Sequence, residues 1–295
     1  MSTPQPRVVI VGARGQLGSE LPRALTDAQV SALGRAELEL TDPTAALRLF
    51  AEFCPAVVIN CAAFNRVDDA ERDPTEAFAI NAFGVRTLAR ACSAVGARLI
   101  HVSTDYVFDG RQTAPYEEPD CPRPLSAYGI SKLNGELFAV NECPEALIIR
   151  TSGLYGLAGR KQKGGRGHFV ETILTRARAR QPLRIVADQV TAPSCCREVA
   201  EAIVQLMQAE ASGVFHVTNG GQCSWFEFAQ AICELSGLDA EVEPTSSAEF
   251  FQIGMARRPG YSVLANRRYA ELGFSPLRHW RDGLAAYLDE QRAAG

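Results

Sequence analysis

Short apolar runs alternate with amphipathic stretches through the first half of the chain. The run RVVIVG at 7–12 is short and β-branched and reads as a buried strand; 19–25 follows as a helix. A second strand is read at 30–33, a helix at 44–53, and a third strand, AVVINCAA, at 56–63. Helical spacing then runs from 74 to 96 and stops at Gly96, a residue that ends helices readily. The segment 97–108 reads as a strand entering a loop, 126–141 as a helix and 146–156 as a strand. Continuous apolar strands separated by helices predict a parallel sheet covered on both faces. With right-handed crossovers this is an α/β, doubly wound, Rossmann-like fold.

After Gly156 the rhythm changes. Residues 157–167, LAGRKQKGGRG, form a glycine-rich, basic loop, and 168–180 a helix. Residues 183–196 read as a strand leading into an irregular segment, 197–210 as one more helix of the sheet and 213–219 as one more strand. Helices are read near 224–236 and 281–291. The expected organisation is a dinucleotide-binding domain over 1–150, completed by about 187–219. A smaller α+β substrate lobe is built from 151–186 and 220–295, with the substrate cleft between the two.

Bulk properties narrow the function classes. The chain has 295 residues and a net charge of −4, so no basic surface advertises nucleic acid or an anionic membrane. Nowhere do 18 apolar residues run together, and the N-terminal segment has no signal-peptide core. Nine cysteines, an odd number with no CxxC pair, read as reduced, buried thiols. The expectation is a cytoplasmic protein without membrane partners. Four histidines without metal-ligand spacing give no zinc site.

Three signals carry chemistry. The first is Gly12-Ala13-Arg14-Gly15-Gln16-Leu17-Gly18, placed after a strand and opening a helix. Gly12 permits the turn, Gly15 lets backbone approach a pyrophosphate, and Gly18 lets the helix close on the strand. Gln16 and Leu17 belong to the same N-terminal turn, whose N–H groups and dipole suit phosphate. The second is Tyr128 and Lys132, i and i+4 on one helix face, where an ammonium lowers the phenol's pKa and the phenol exchanges a proton with a developing alkoxide. The third is Ser103-Thr104-Asp105-Tyr106 at a strand's carboxyl end, where substrate groups sit in open α/β sheets. At the tip of the second strand, Leu33-Gly34-Arg35 lacks the acidic residue that holds a ribose 2′-OH. Arg35 suits a 2′-phosphate, which favours NADPH and leaves NADH open.

The strings GARGQLG, VVINCAAFNRVDDAE, HVSTDYVFDG, PLSAYGISKLNGE, RTSGLYG, VADQVTAP and ARRPGYSVL follow one another along nearly the whole chain. Together they resemble the dTDP-4-dehydrorhamnose reductase family of extended short-chain dehydrogenases. The resemblance implies Thr104, Tyr128 and Lys132 as the catalytic set and Asp105 near a bound sugar. It also implies Ala62 and Ala63 along the cofactor and Glu39-Leu40 near its adenine. The implied reaction is NAD(P)H-dependent reduction of the C4 keto group of a nucleotide-linked 4-keto-6-deoxy sugar, dTDP-4-dehydrorhamnose to dTDP-L-rhamnose. A homodimer is left open.

Two departures fall on the expected substrate side: Gly153 stands where these relatives carry Trp, and His168 takes an Asn position. The loop 157–169 is read either as a lid whose Lys161, Lys163 and Arg166 meet the substrate's pyrophosphate or as a plain surface insertion. Two alternatives stand beside reduction. One is an epimerase or dehydratase on the same scaffold, counted against by Tyr106 where dehydratases carry Glu. The other is a non-catalytic NADP-binding regulatory subunit, counted against by the intact Tyr–Lys pair.

Overall fold

The computed structural model describes residues 5–160 and 167–293. Five strands of the central sheet are β1 (Arg7–Val11), β2 (Gln29–Leu33), β3 (Val57–Asn60), β4 (Arg98–Thr104) and β5 (Leu147–Thr151), with an edge strand at Gly213–His216. Their order from that edge is Gly213–His216, β5, β4, β3, β1, β2, and every pair is parallel. Alternate residues of each strand serve opposite faces. Val8, Ile10 and Ile59 pack under Val199 and Ile203 of helix Cys196–Gln208. Val9, Val11 and Val58 pack under Phe50, Leu88 and Ala89 on the other face. The apolar runs therefore cannot alternate with polar residues, because neither face meets water. Strand order reverses between β1 and β3, the place where ligands of such sheets enter.

Several elements are shorter than periodicity suggests. The helix expected over 74–96 is α-helical at Thr75–Phe78, widens to a π-helix at Ala79–Gly84, and resumes at Val85–Val95. Gly96 closes it with φ +72°. The segment 97–108, read as a strand entering a loop, is a strand as far as Thr104 and then a 3₁₀ turn, Asp105–Val107. The strand expected over 146–156 breaks at Ser152, and Leu154–Tyr155 pairs with Ser194–Cys195 instead. The long run 183–196 resolves into Leu183–Val186, Val190–Thr191 and Ser194–Cys195. A helix at Val67–Arg72, too short and acidic to show a period, is added.

A second core lies apart from the sheet. Helices Phe169–Arg178, Trp225–Leu235 and Trp280–Ala293 enclose Tyr155, Phe228, Leu284 and Tyr287, beside the pair Leu183–Val186 and Val242–Thr245. This is a smaller α+β lobe. Residues 256–264 run from it to the first lobe: Ala256 N donates to Asp68 Oδ1 at 3.0 Å, Arg258 pairs with Asp68 at 2.8 Å, and Leu264 bridges to Tyr116. Among the described residues, no helix is long and apolar enough to cross a membrane.

Candidate active site

A cleft of about 590 Å³ opens at the carboxyl ends of the strands. Gly12, Gly15, Gln16, Leu17, Gly18, Arg35, Glu39, Leu40, Ala62, Ala63, Thr104, Asp105, Tyr128, Lys132 and Gly153 all line it. The sequence named these residues separately; the topology brings them together.

The first turn is built on close backbone approach. Gly12 N and Ala13 N both donate to Leu33 O, at 2.9 and 3.0 Å. A Cβ on Gly12, whose φ is +78°, would lie 2.6 Å from Ala62 N, and one on Gly18 would lie 2.3 Å from Gly12 O. Gly12 thus admits β3's continuation, and Gly18 lets the chain fold back onto the turn. A Cβ on Gly15 would meet only Gly12 O, at 3.2 Å, so bare backbone faces the cleft there.

Two buried asparagines hold the opposite wall. Asn60 Oδ1 accepts from Ala62 N at 3.1 Å, while its amide contacts His101 Nδ1. Asn81, in the π-helical turn, accepts from Phe64 N at 2.8 Å and donates to Phe64 O and Ser131 Oγ. Neither had been singled out as functional. The signal was a polar residue inside an apolar run, in VVIN and AFAIN.

An acidic group does stand near the tip of β2. Glu37 accepts from Gly34 N at 2.8 Å and pairs with Arg14. Arg35 contacts Glu39 at 3.2 Å and Glu76 at 3.6 Å, so its charge is shared with two carboxylates. The expectation of a tip without acid is corrected: the carboxylate arrives three residues later, through a turn.

Helix Ala127–Glu142 begins at Ser126, whose Oγ accepts from Gly129 N at 3.2 Å. It seats close to the 3₁₀ turn after β4 and to the π-helical turn because two positions lack side chains. A Cβ on Gly129 would lie 2.3 Å from Tyr106 O, and one on Gly135 would lie 2.2 Å from Asn81 O. This sets the Tyr128 phenol on the cleft beside Thr104. Lys132 Nζ donates to Val102 O at 2.7 Å.

Burial pushes Tyr128 up to about 12, opposed by the nearby Thr104 hydroxyl. The expected lowering by Lys132 is not seen, because the ammonium is directed at β4 rather than at the phenol. Burial lowers Lys132 itself to about 8, opposed by the charge of Glu136. Tyr128 is therefore held as a protonated phenol at neutral pH.

Beside it, Asp105 is buried and pushed up to about 6 by desolvation. Thr104 Oγ1 donates to its Oδ1 at 3.0 Å and Ser152 Oγ to its Oδ2 at 3.2 Å. Ser152 in turn contacts Thr191 Oγ1 at 2.5 Å, and Ser262 lines the cleft close enough to Asp105 to oppose its upward shift. Ser152, Thr191 and Ser262 come from three distant segments and were missed. Gly153 has φ +54°, and a Cβ there would lie 3.0 Å from Pro193 Cα.

His168 does not line the cleft. It caps helix Phe169–Arg178, its Nε2 lies 3.1 Å from Gly156 O and 3.2 Å from the Tyr287 hydroxyl, and burial lowers it to about 4. The reading of His168 on the substrate side is thus corrected. Lys161, Lys163 and Arg166 lie outside the described residues. Among the described residues, no group of three His, Cys, Asp or Glu could hold a metal. All nine cysteines are unpaired.

A parallel sheet with a glycine-rich first turn, and a Thr–Tyr–Lys set at its middle strands, defines the extended short-chain dehydrogenases. Within that class, this chain belongs to the dTDP-4-dehydrorhamnose reductase family. The family model described as RmlD substrate binding domain matches residues 6–293. The chain is 43% identical over 291 residues to dTDP-4-dehydrorhamnose reductase of Mycobacterium tuberculosis, covering 96% of this chain and 92% of the relative. It is 40% identical over 290 residues to spore coat polysaccharide biosynthesis protein SpsK of Bacillus subtilis, covering 98% and 99%. The solved structure of Bacillus anthracis dTDP-4-dehydrorhamnose reductase in complex with NADP matches with TM-score 0.91 at 35% identity, over 97% of this chain and 99% of that one.

Proposed function

We propose that this protein reduces the C4 keto group of a dTDP-linked 4-keto-6-deoxy sugar with NAD(P)H, converting dTDP-4-dehydrorhamnose to dTDP-L-rhamnose. One observation carries the reading: Thr104, Tyr128 and Lys132, the last two one helical turn apart, line the same cleft as the Gly12–Gly18 turn.

The residues fit a dinucleotide. Bare backbone at Gly15 faces the pyrophosphate position, with Gln16, Leu17 and Gly18 completing the turn. Ala62 and Ala63 offer a small-side-chain wall, Glu39 and Leu40 flank the adenine, and Arg35 turns from its carboxylates to a 2′-phosphate where one is present. Lys132 has three donors, of which Val102 O takes one, and the others reach the ribose hydroxyls. When bound, the reduced nicotinamide supplies hydride to the carbonyl carbon. Thr104 holds the carbonyl oxygen, and Tyr128 gives it a proton as negative charge develops there. Asp105 accepts from a sugar hydroxyl, and Gly153 leaves room for the ring.

The dinucleotide takes the sheet domain, 1–150 with about 187–219, and the sugar nucleotide lies against 151–186 and 220–295. Unpaired thiols suit a reducing compartment, the cytoplasm. A dehydratase would need a second acid–base group beside Tyr128. Position 106 offers a tyrosine whose ring packs edge-on against Tyr128, 5.9 Å between centroids.

The test is turnover of purified protein with a panel of nucleotide-linked keto sugars, under NADH and under NADPH. Consumption of either cofactor with dTDP-4-dehydrorhamnose is expected. Cofactor binding without turnover of any keto sugar would favour the regulatory reading instead.

A further inference from the structure

Among the described residues, Trp225 is the only aromatic side chain of the smaller lobe that lines the cleft. It is half-buried, braced by Phe169 with ring centroids 4.7 Å apart and by Phe228 at 6.2 Å. It opens helix Trp225–Leu235, but that helix end is already closed. Ser224 Oγ accepts from Glu227 N, and the Glu227 carboxylate accepts from Ser224 N at 2.7 Å. A phosphate is therefore not the partner of this helix start, and the indole is the chemistry it presents.

Its position relative to the reacting groups follows from the pairings. Thr104 bonds Asp105, Asp105 bonds Ser152, and Ser152 bonds Thr191. Trp225 N donates to Gln189 O at 3.2 Å, two residues before Thr191 on the same extended segment. Two residues of extended chain span about 7 Å, so the backbone of Trp225 is anchored about that far along the segment from Thr191, and its side chain lines the same cleft. A sugar held by that polar cluster leaves its nucleotide to extend outward. Gly153 on the cleft wall carries no side chain to obstruct it.

We propose that Trp225 is the stacking platform for the nucleobase of the sugar-nucleotide substrate. This rests on the reductase reading above. The indole is uncharged and flat, which suits a pyrimidine and not a diphosphate. The smaller lobe thus reads the nucleotide end through Trp225, while the keto sugar sits at the Asp105 cluster between the two lobes.

The chain contains two tryptophans, and the other, Trp280, is 7% exposed in the smaller lobe's core. Titrating the wild-type protein with dTDP should therefore change tryptophan emission through Trp225. NADP⁺ alone should leave it unchanged. Trp225→Ala should weaken dTDP binding about 10-fold or more, the scale of losing one base–aromatic stack. Trp225→Phe keeps a ring and should bind dTDP nearly as well as wild type while losing the emission change. Both variants should bind NADP⁺ normally, which also verifies their fold. Calorimetric binding of dTDP by wild type with equal affinity in Trp225→Ala overturns the platform and leaves the reductase reading intact. An emission change that persists in Trp225→Phe, or one produced by NADP⁺ alone, overturns it too. A wild-type protein that binds no dTDP at all overturns both readings together.

Discussion

Arg150 clasps Glu136 beneath the cleft, with Nη2 2.7 Å from Oε2 and Nε 3.0 Å from Oε1, and both side chains are shut off from water. Ser103 Oγ donates to the same carboxylate. Removing one partner strands a buried charge, so Glu136→Ala should cost about 3–5 kcal/mol of stability. Glu136→Leu with Arg150→Met removes both charges and should recover most of that loss. Denaturant titration of the single and double variants decides it, and a loss under about 1 kcal/mol in the single variant would refute the buried-pair account.

Tyr128→Phe removes only a hydroxyl on the cleft. The expected result is a fall of roughly 10² or more in kcat with cofactor affinity and fold unchanged, because the proton matters in the transition state. Steady-state kinetics beside a fluorescence titration with NADPH provide the check. Near-normal turnover would mean that another group donates the proton.

Gly12 and Gly15 should fail differently. Gly12→Ala forces a methyl to 2.6 Å from Ala62 N at φ +78°, so the fold itself should suffer and the melting temperature fall. Gly15→Leu meets only its own turn and projects into the cleft, so the protein should fold and lose NADPH affinity. Equal cofactor affinity in a folded Gly15→Leu protein would remove the pyrophosphate from this turn.

Desolvation raises Asp105 from an ordinary 3.8 to about 6. Between those values the folded protein binds more protons than the unfolded chain, so this group lowers stability as pH rises through the window. Asp105→Asn should therefore gain on wild type in melting temperature from pH 4 to pH 6 and keep that gain above it. It should also lose the acid limb of kcat/KM near pH 6, along with most activity. A melting-temperature difference that stays flat from pH 4 to pH 7 would show that Asp105 does not titrate in this range.

The sheet was legible because each strand signals its own burial locally: Val8, Val9 and Ile10 are apolar in succession since both faces are covered. The residues placed on the cleft by motif, such as Gly12, Tyr128 and Lys132, are short-range patterns on single elements. What escaped depends on contacts between distant segments. Ser152 bonds Asp105, Thr191 bonds Ser152, and Ser262 joins them on the cleft from a third place, and no local spacing marks them. Glu37 was hidden by a turn, and the π-helical widening at Ala79–Gly84 leaves the hydrophobic period nearly intact.

The edge strand Gly213–His216 has a consequence for how the chain is made. It pairs with β5, yet residues 152–212 are synthesised between the two. At translation speeds of 5–20 residues per second, β5 waits roughly 3–12 s with an unpaired margin. Such a margin is a template for pairing with other chains. Nascent protein is therefore most vulnerable to aggregation in that interval, and crowding many ribosomes on one message should lower the yield of folded enzyme.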